Sequence, residues 1–293
     1  MALPTSTVCL TFDFDAICIW IGPRGSDSPS AISRGEFAVV GVQRILKVLS
    51  ERKIKSTFFI PGHTVETYPA SVQAILTDGH ELGHHGYLHE NPCGLSKDEE
   101  RRVLVRGFEV MDRIVGVRPV GYRSPSWDNS PNTIDLLLEY GFRYESSLMA
   151  HDFRPYWCRT GDVANTDGPY RFGKPVDLVE MPVSWVLDDF PHFEFVTSGG
   201  QLYPGLSAGS KVEEIWRAEF DFMMREEPGG VFNLTTHPEI IGRGHRIIML
   251  ERLIDHFSAQ TGIEFTTLGE AADRFRAETS RTGAQVKPDT GRA

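Results

Sequence analysis

What most constrains the fold of this chain is the alternation of short apolar runs with longer amphipathic ones along almost all of its 293 residues. Parallel strands buried on both faces read as continuous apolar runs, and each needs a crossover, usually a helix, to bring the chain back in the same direction. Strands are predicted at 8–12, 56–60, 80–83, 119–122, 142–144, 178–183, 231–235 and 263–266. Helices are predicted at 37–52, 64–76, 96–115, 132–140 and 212–225, with Ser96 and Glu99 placed as a capping box. Seven or eight strands alternating with helices predict an α/β chain forming a closed or nearly closed (β/α) barrel in preference to an open sheet. Residues 1–275 are expected to form this single domain, and 276–293 a polar, flexible tail. Two long segments without periodicity, 16–36 and 151–175, are expected to be irregular loops that shape a site or an interface.

Composition narrows the functional classes. A formal net charge of −10, with no basic run longer than Arg101-Arg102, supplies no field for a phosphate backbone, so no nucleic-acid partner is expected. Four cysteines without a C-x-x-C pair, Cys9, Cys18, Cys93 and Cys158, read as free thiols. No stretch approaches the roughly 20 apolar residues of a membrane span, and the first residues carry neither a basic nor an apolar leader region, so a cytoplasmic location is expected.

Two clusters could carry chemistry. The first predicted strand runs into Thr11-Phe12-Asp13-Phe14-Asp15, and residues two apart on an extended chain point to the same side, so both carboxylates face one cavity. In a barrel this is the strand end where active sites collect. The second cluster, His80-Glu81-Leu82-Gly83-His84-His85-Gly86-Tyr87-Leu88-His89, holds four of the chain's ten histidines. His85 and His89, four apart, can grip one divalent ion from a helical turn or tight loop, and a carboxylate as third ligand would leave positions open for water. An H-x-x-x-H spacing on its own is equally compatible with surface histidines.

Taken in order, the motifs resemble those of the polysaccharide deacetylase superfamily, also called the NodB homology family, over roughly residues 5–270. The resemblance implies a distorted, NodB-like (β/α) barrel, hydrolysis of an amide, Asp13 as general base and Asp15, His85 and His89 as ligands of one divalent metal ion. It implies that Arg123, Pro125 and Trp127, in Arg123-Ser-Pro-Ser-Trp127, line the substrate groove and orient the base, and that His237, in Leu234-Thr-Thr-His237, is the general acid. A fourth motif is matched loosely by Ser146-Ser147-Leu148 to Asp152, and the amide after Pro125 is the candidate oxyanion donor. Zinc is the default metal, although cobalt and manganese accept the same donors.

The interrupted acid pair, the Ile19-Trp20 segment and the His-Pro followed by a Gly/Arg loop look most like the branch of allantoinase-like and cyclic imide hydrolases. That branch implies a small cyclic amide substrate such as succinimide or maleimide, and a homotetramer. Trp20, with Trp127 and Trp185, is a candidate aromatic wall for a flat ring. An N-acetyl deacetylase acting on cell-wall sugars is the alternative enzyme, and a catalytically silent metal cleft the alternative of another class. Arg243, His245 and Arg246 form a basic corner that could bind a carboxylate or face another subunit, and His84 could assist the site.

Overall fold

In the computed structural model, which describes residues 4–198, 201–203 and 205–282, eleven strands are distinguished. They are β1 (Ser6–Asp13), β2 (Thr57–Ile60), β3 (Glu81–His84), β4 (Gly121–Tyr122), β5 (Tyr144–Glu145), β6 (Tyr156–Thr160), β7 (Lys174–Glu180), β8 (Val196–Ser198), β9 (Gln201–Tyr203), β10 (Val231–Thr236) and β11 (Ile263–Phe265). The main sheet runs β10-β1-β2-β3-β4-β5-β7-β6, and β11 joins β1 as its ninth strand; β8 and β9 form a separate hairpin. All pairings in the main sheet are parallel except that of β6 with β7. The expected seven or eight strands become nine because the segment 151–175, predicted to be irregular, contains β6 and folds back antiparallel on β7.

β1 is buried along its whole length, as its apolar run requires, and serves as a fork. Its first residues pair with β11 and its last with β2, while β10 follows the opposite side from Thr7 to Phe12. The sheet curls without closing. Across the gap, the chain after β7 reaches β10 through an isolated parallel bridge between Asp188 and Thr235, and Asn233 Nδ2 donates to Pro182 O at 3.1 Å. The result is the distorted (β/α) barrel that the sequence suggests.

The helices form where periodicity and caps place them. Lys97–Val115 starts with the expected capping box, Ser96 N donating to Glu99 Oε2 at 2.8 Å, and stops at Gly116, whose left-handed φ of 66° ends it. The single helix expected over 64–76 is instead two, Gly62–Thr67 and Pro69–Thr77. Pro69 lacks an amide proton and forces Tyr68 out of the helical region. Gly41 lets the helix Ala38–Arg52 lie directly on the backbone of Pro238; a Cβ there would stand 2.0 Å from Pro238 O. The final helix, Leu268–Thr282, runs through residues that the sequence assigned to a tail. Arg276 is held there by Asp177 at 2.6 Å and by the Trp157 ring, so the domain extends to at least 282; residues 283–293 lie outside those described. Among the described residues, no helix is long and apolar enough to cross a membrane.

His80 gives the fold a measurable acid sensitivity. It is buried, its Nδ1 accepts from Ser56 N at 3.1 Å, and burial pushes its pKa from 6.5 down to about 4. Between those values the unfolded chain takes up the proton and the native one does not, so stability falls as pH drops from about 6.5 to 4. Urea midpoints measured at pH 7.5 and 5 should therefore diverge less in His80→Gln than in the wild type. Equal divergence in the two proteins would remove His80 as the cause.

Candidate active site

The candidate residues all follow the C-terminal ends of parallel strands. Asp13 closes β1 and Asp15 lies two residues on; His85 follows β3, Arg123 follows β4, and His237 follows β10. The shared strand direction thus brings residues more than 200 positions apart to one end of the barrel. His85 and His89 sit on a tight loop and not on a helix: Gly86 and His89 both adopt left-handed backbone, φ 72° and 57°. For His89, which has a side chain, this conformation carries strain of the kind found at functional sites.

Asp15, His85 and His89 converge. His85 Nε2 lies 3.5 Å from Asp15 Oδ1, and His89 Nε2 3.4 Å from Asp15 Oδ2. These separations are long for hydrogen bonds, yet they match donors placed at about 2.1 Å from a common ion and about 109° apart. Asp15 is completely buried and neither of its carboxylate oxygens has a hydrogen-bond partner, a costly arrangement that a bound cation would relieve. His85 Nδ1 donates to Arg123 O at 2.7 Å, which leaves Nε2 with its lone pair toward Asp15. Burial lowers the pKa of both imidazoles, that of His89 to about 4, so both are neutral, as ligands must be. The donor set fits a divalent metal ion.

Asp13 is held differently. Arg123, itself fully buried, donates from Nη1 to Asp13 Oδ1 at 2.7 Å and to Thr11 Oγ1 at 3.0 Å. Its Nε and Nη2 are anchored on Ser146 O and Oγ at 3.1 and 3.0 Å, and its plane covers Phe59. Burial alone would raise the Asp13 carboxyl, but Arg123 and the nearby imidazoles outweigh it, and Asp13 stays ionised below the usual carboxylate range.

His237 has partners that sequence reasoning missed. Its Nδ1 donates to Asp189 Oδ1 at 2.7 Å, its backbone N donates to both oxygens of the same carboxylate, and Asp188 Oδ1 lies 3.6 Å away. Although burial opposes it, this pair of acids raises the His237 pKa well above its ordinary value, making the ring an imidazolium whose Nε2 faces Asp15 at 3.7 Å. The signal was present as Asp188-Asp189 shortly after a predicted strand, a second acid pair of the kind that marked Asp13 and Asp15. Trp216 fixes the segment by donating from Nε1 to Val186 O at 2.8 Å.

These groups open into a pocket of about 300 Å³, lined also by Ile19, Pro23 and Arg24 and by Ser126, Trp127, Trp185 and Phe190. Trp127 and Trp185 pack ring against ring at 4.4 Å. Ser126, whose amide follows Pro125, reaches the pocket through left-handed backbone, φ 58°. Several expectations need correction. Trp20 is not part of the lining; it lies behind Arg24, whose guanidinium covers its ring. Arg123 and Pro125 are buried behind the pocket surface, so Arg123 acts on the base and not as a contact in the lining.

The remaining candidates are structural. In the loose fourth motif, Ser146 and Ser147 anchor Arg123 and Ser124, whereas the Asp152 side chain is half-exposed. His84 is buried against helix Lys97–Val115, its ring bonded to Leu104 O and Gly86 N, and a Cβ on Gly107 would stand 2.2 Å from its Nε2. Arg246 donates to Ile240 O and Phe193 O, and Arg243 covers Phe37, so these members of the basic corner pack within the chain. His245 is exposed.

Strand-end acids, two neutral imidazoles, a buried ionised carboxylate and an acid-backed histidine together fit a metal-dependent hydrolase site. The polysaccharide deacetylase family matches residues 2–145. A peptidoglycan deacetylase of Helicobacter pylori is 37% identical over 275 residues, covering 90% of this chain and 94% of that protein. A peptidoglycan deacetylase-like protein of Gibberella zeae is 31% identical over 92% of this chain and 86% of its own length. The chain therefore belongs to the polysaccharide deacetylase family. Among solved structures, a polysaccharide deacetylase homologue from Mycobacterium smegmatis superposes with a TM-score of 0.82 at 36% identity, covering 95% of this chain and 92% of that one. An allantoinase shares the fold at a TM-score of 0.73 and 23% identity, covering 93% of this chain and 89% of that one.

Proposed function

We propose that this protein is a metal-dependent amide hydrolase that removes the N-acetyl group from a small amino-sugar unit. The observation carrying this reading is the convergence of Asp15, His85 and His89 with Asp13 and His237 on one pocket. The near full-length likeness to a peptidoglycan deacetylase supports the choice of bond.

An amide resists water because its nitrogen lone pair is delocalised and its amine leaves poorly, so the site must supply a base, charge stabilisation and a proton. A divalent ion held by Asp15, His85 and His89 would supply Lewis acidity, acidifying a water and polarising the acyl carbonyl. Asp13, kept ionised by Arg123, takes the proton from the attacking water. His237, protonated and oriented through Nδ1 by Asp189, gives its Nε2 proton to the leaving nitrogen. Trp127 and Trp185 present an aromatic face on which a sugar ring stacks.

A second reading, opening of a cyclic imide to its half-amide, is favoured by the pocket walls. Ile19, Pro23 and Arg24 stand with Trp185 around a space of about 300 Å³, which suits a small flat ring as well as one sugar unit. The discriminating experiment supplies the zinc- or cobalt-loaded protein with N-acetylated muropeptide fragments and, separately, with succinimide. Release of acetate and a free amine, lost on chelation, is the expected result. Succinimide opening without acetate release would replace the lead reading with the second, and metal-bound protein inert toward both would sink the hydrolase reading.

A further inference from the structure

The pocket contains a cation that the mechanism does not use. Arg24 is the one Arg or Lys among the residues lining it, in company with Asp13, Asp15 and Asp188. Its guanidinium lies over the Trp20 indole at 5.0 Å; its Nε is buried without a hydrogen-bond partner, and it makes no ion pair among the described residues. Arg34, over the same indole at 4.3 Å, is neutralised: it pairs with Glu194 and donates to Phe195 O at 2.9 Å. One indole therefore holds two guanidinium groups, and the unpaired one faces the pocket.

A buried guanidinium N–H without an acceptor is disfavoured unless a ligand supplies one. Arg24 lines the same pocket as Asp13, His89 and His237, so it acts on the same space as the reacting groups. His237 is already faced by Asp15, Asp188 and Asp189, and a bound metal ion would be faced by Asp15, so Arg24 is the charge in the lining left for an anionic group of a ligand.

We infer that Arg24 is a specificity-determining residue that binds a carboxylate on the substrate, so that the preferred substrate is a small amide bearing a carboxylate near the scissile bond. The planar fork of a guanidinium matches a carboxylate's two oxygens. A carboxylate's single negative charge matches that of one guanidinium, whereas a dianionic phosphate brings a second negative charge that Arg24 alone does not balance. The pocket, roughly 8 Å across if taken as a sphere, keeps the two ends of such a molecule within one small-ligand length. This inference rests on the pocket being the site of amide hydrolysis, but its test does not need turnover.

The test is calorimetric titration of the metal-loaded Asp13→Asn protein, in which hydrolysis is suppressed, with N-acetylglycine, its neutral amide, and N-acetyl-O-phosphoethanolamine. N-acetylglycine should bind best. Adding Arg24→Gln should weaken it roughly 10- to 100-fold, the range of a charge-assisted contact, and leave the neutral amide unchanged. Arg24→Lys should recover part of the loss, which a purely packing role would not produce. Equal weakening of the acid and the neutral amide, or unchanged binding of the acid by Arg24→Gln, would overturn the inference, as would preferential binding of the phosphate. Selective carboxylate binding by a protein that turns over no amide would uphold Arg24's role and count against the hydrolase reading alone.

Discussion

Asp15→Asn is expected to weaken divalent-metal binding by roughly 10²- to 10⁴-fold, the share of one ligand in a three-ligand site, and to reduce turnover to the level of the chelated protein. The same substitution should have an opposite effect without metal. In the wild type, Asp15 is a buried carboxylate with no hydrogen-bond partner, and burial raises its pKa, so the metal-free protein carries a desolvation cost that a neutral amide lessens. Metal-free Asp15→Asn should therefore melt at or above metal-free wild type, while excess metal should raise the melting temperature of the wild type by far the more. Metal content by elemental analysis and paired thermal scans read both halves. A variant that retains its ion, or that melts well below the wild type when both are metal-free, would show that Asp15 serves packing instead.

Asp13→Asn should separate catalysis from metal binding. Loss of a general base lowers kcat by about 10²- to 10⁴-fold, and metal content should stay at the wild-type level because Asp13 is not among the three ligands. Stability should also fall, by about 3 to 5 kcal/mol, because Arg123 is left as a buried charge without its partner carboxylate. Pairing Asp13→Asn with Arg123→Met removes that charge, and part of the stability should return while activity does not. If denaturant midpoints show no loss in the single variant, Ser146 and Thr11 suffice to hold Arg123, and the ion pair is not what positions it.

The motif residues were legible because the chemistry demands particular residue types at particular spacings. Two acids two apart after an apolar strand must share a side, and His85 and His89 are close enough in sequence for one loop to aim both. Asp188 and Asp189 were missed although an acid pair was visible, because their partner His237 lies 48 residues away. Nothing local in the sequence joins them until Asp188 bridges to Thr235. Trp20 was misplaced for a related reason: aromatic residues in a loop near a site can face the pocket or support what does, and the choice is made by Arg24 and Arg34, which cover its ring.

The sequence by itself determined the class of fold, through the alternation of apolar and amphipathic runs, and brought forward two acids and two histidines as candidate donors, through residue type and short-range spacing; their division into base and metal ligands came from the family resemblance. The alternation and the spacing are both properties of local geometry, since strand pleat and tight loops depend on neighbouring residues. The tertiary structure alone decided that the sheet forks at β1 and stays open, that β6 adds an antiparallel edge, that the last helix reaches Thr282, and that Arg123 serves the base from behind while Arg24 stands unpaired in the pocket. Those outcomes depend on which distant backbones satisfy each other's hydrogen bonds and on which buried charges find partners, and such pairings exist only once the chain has folded.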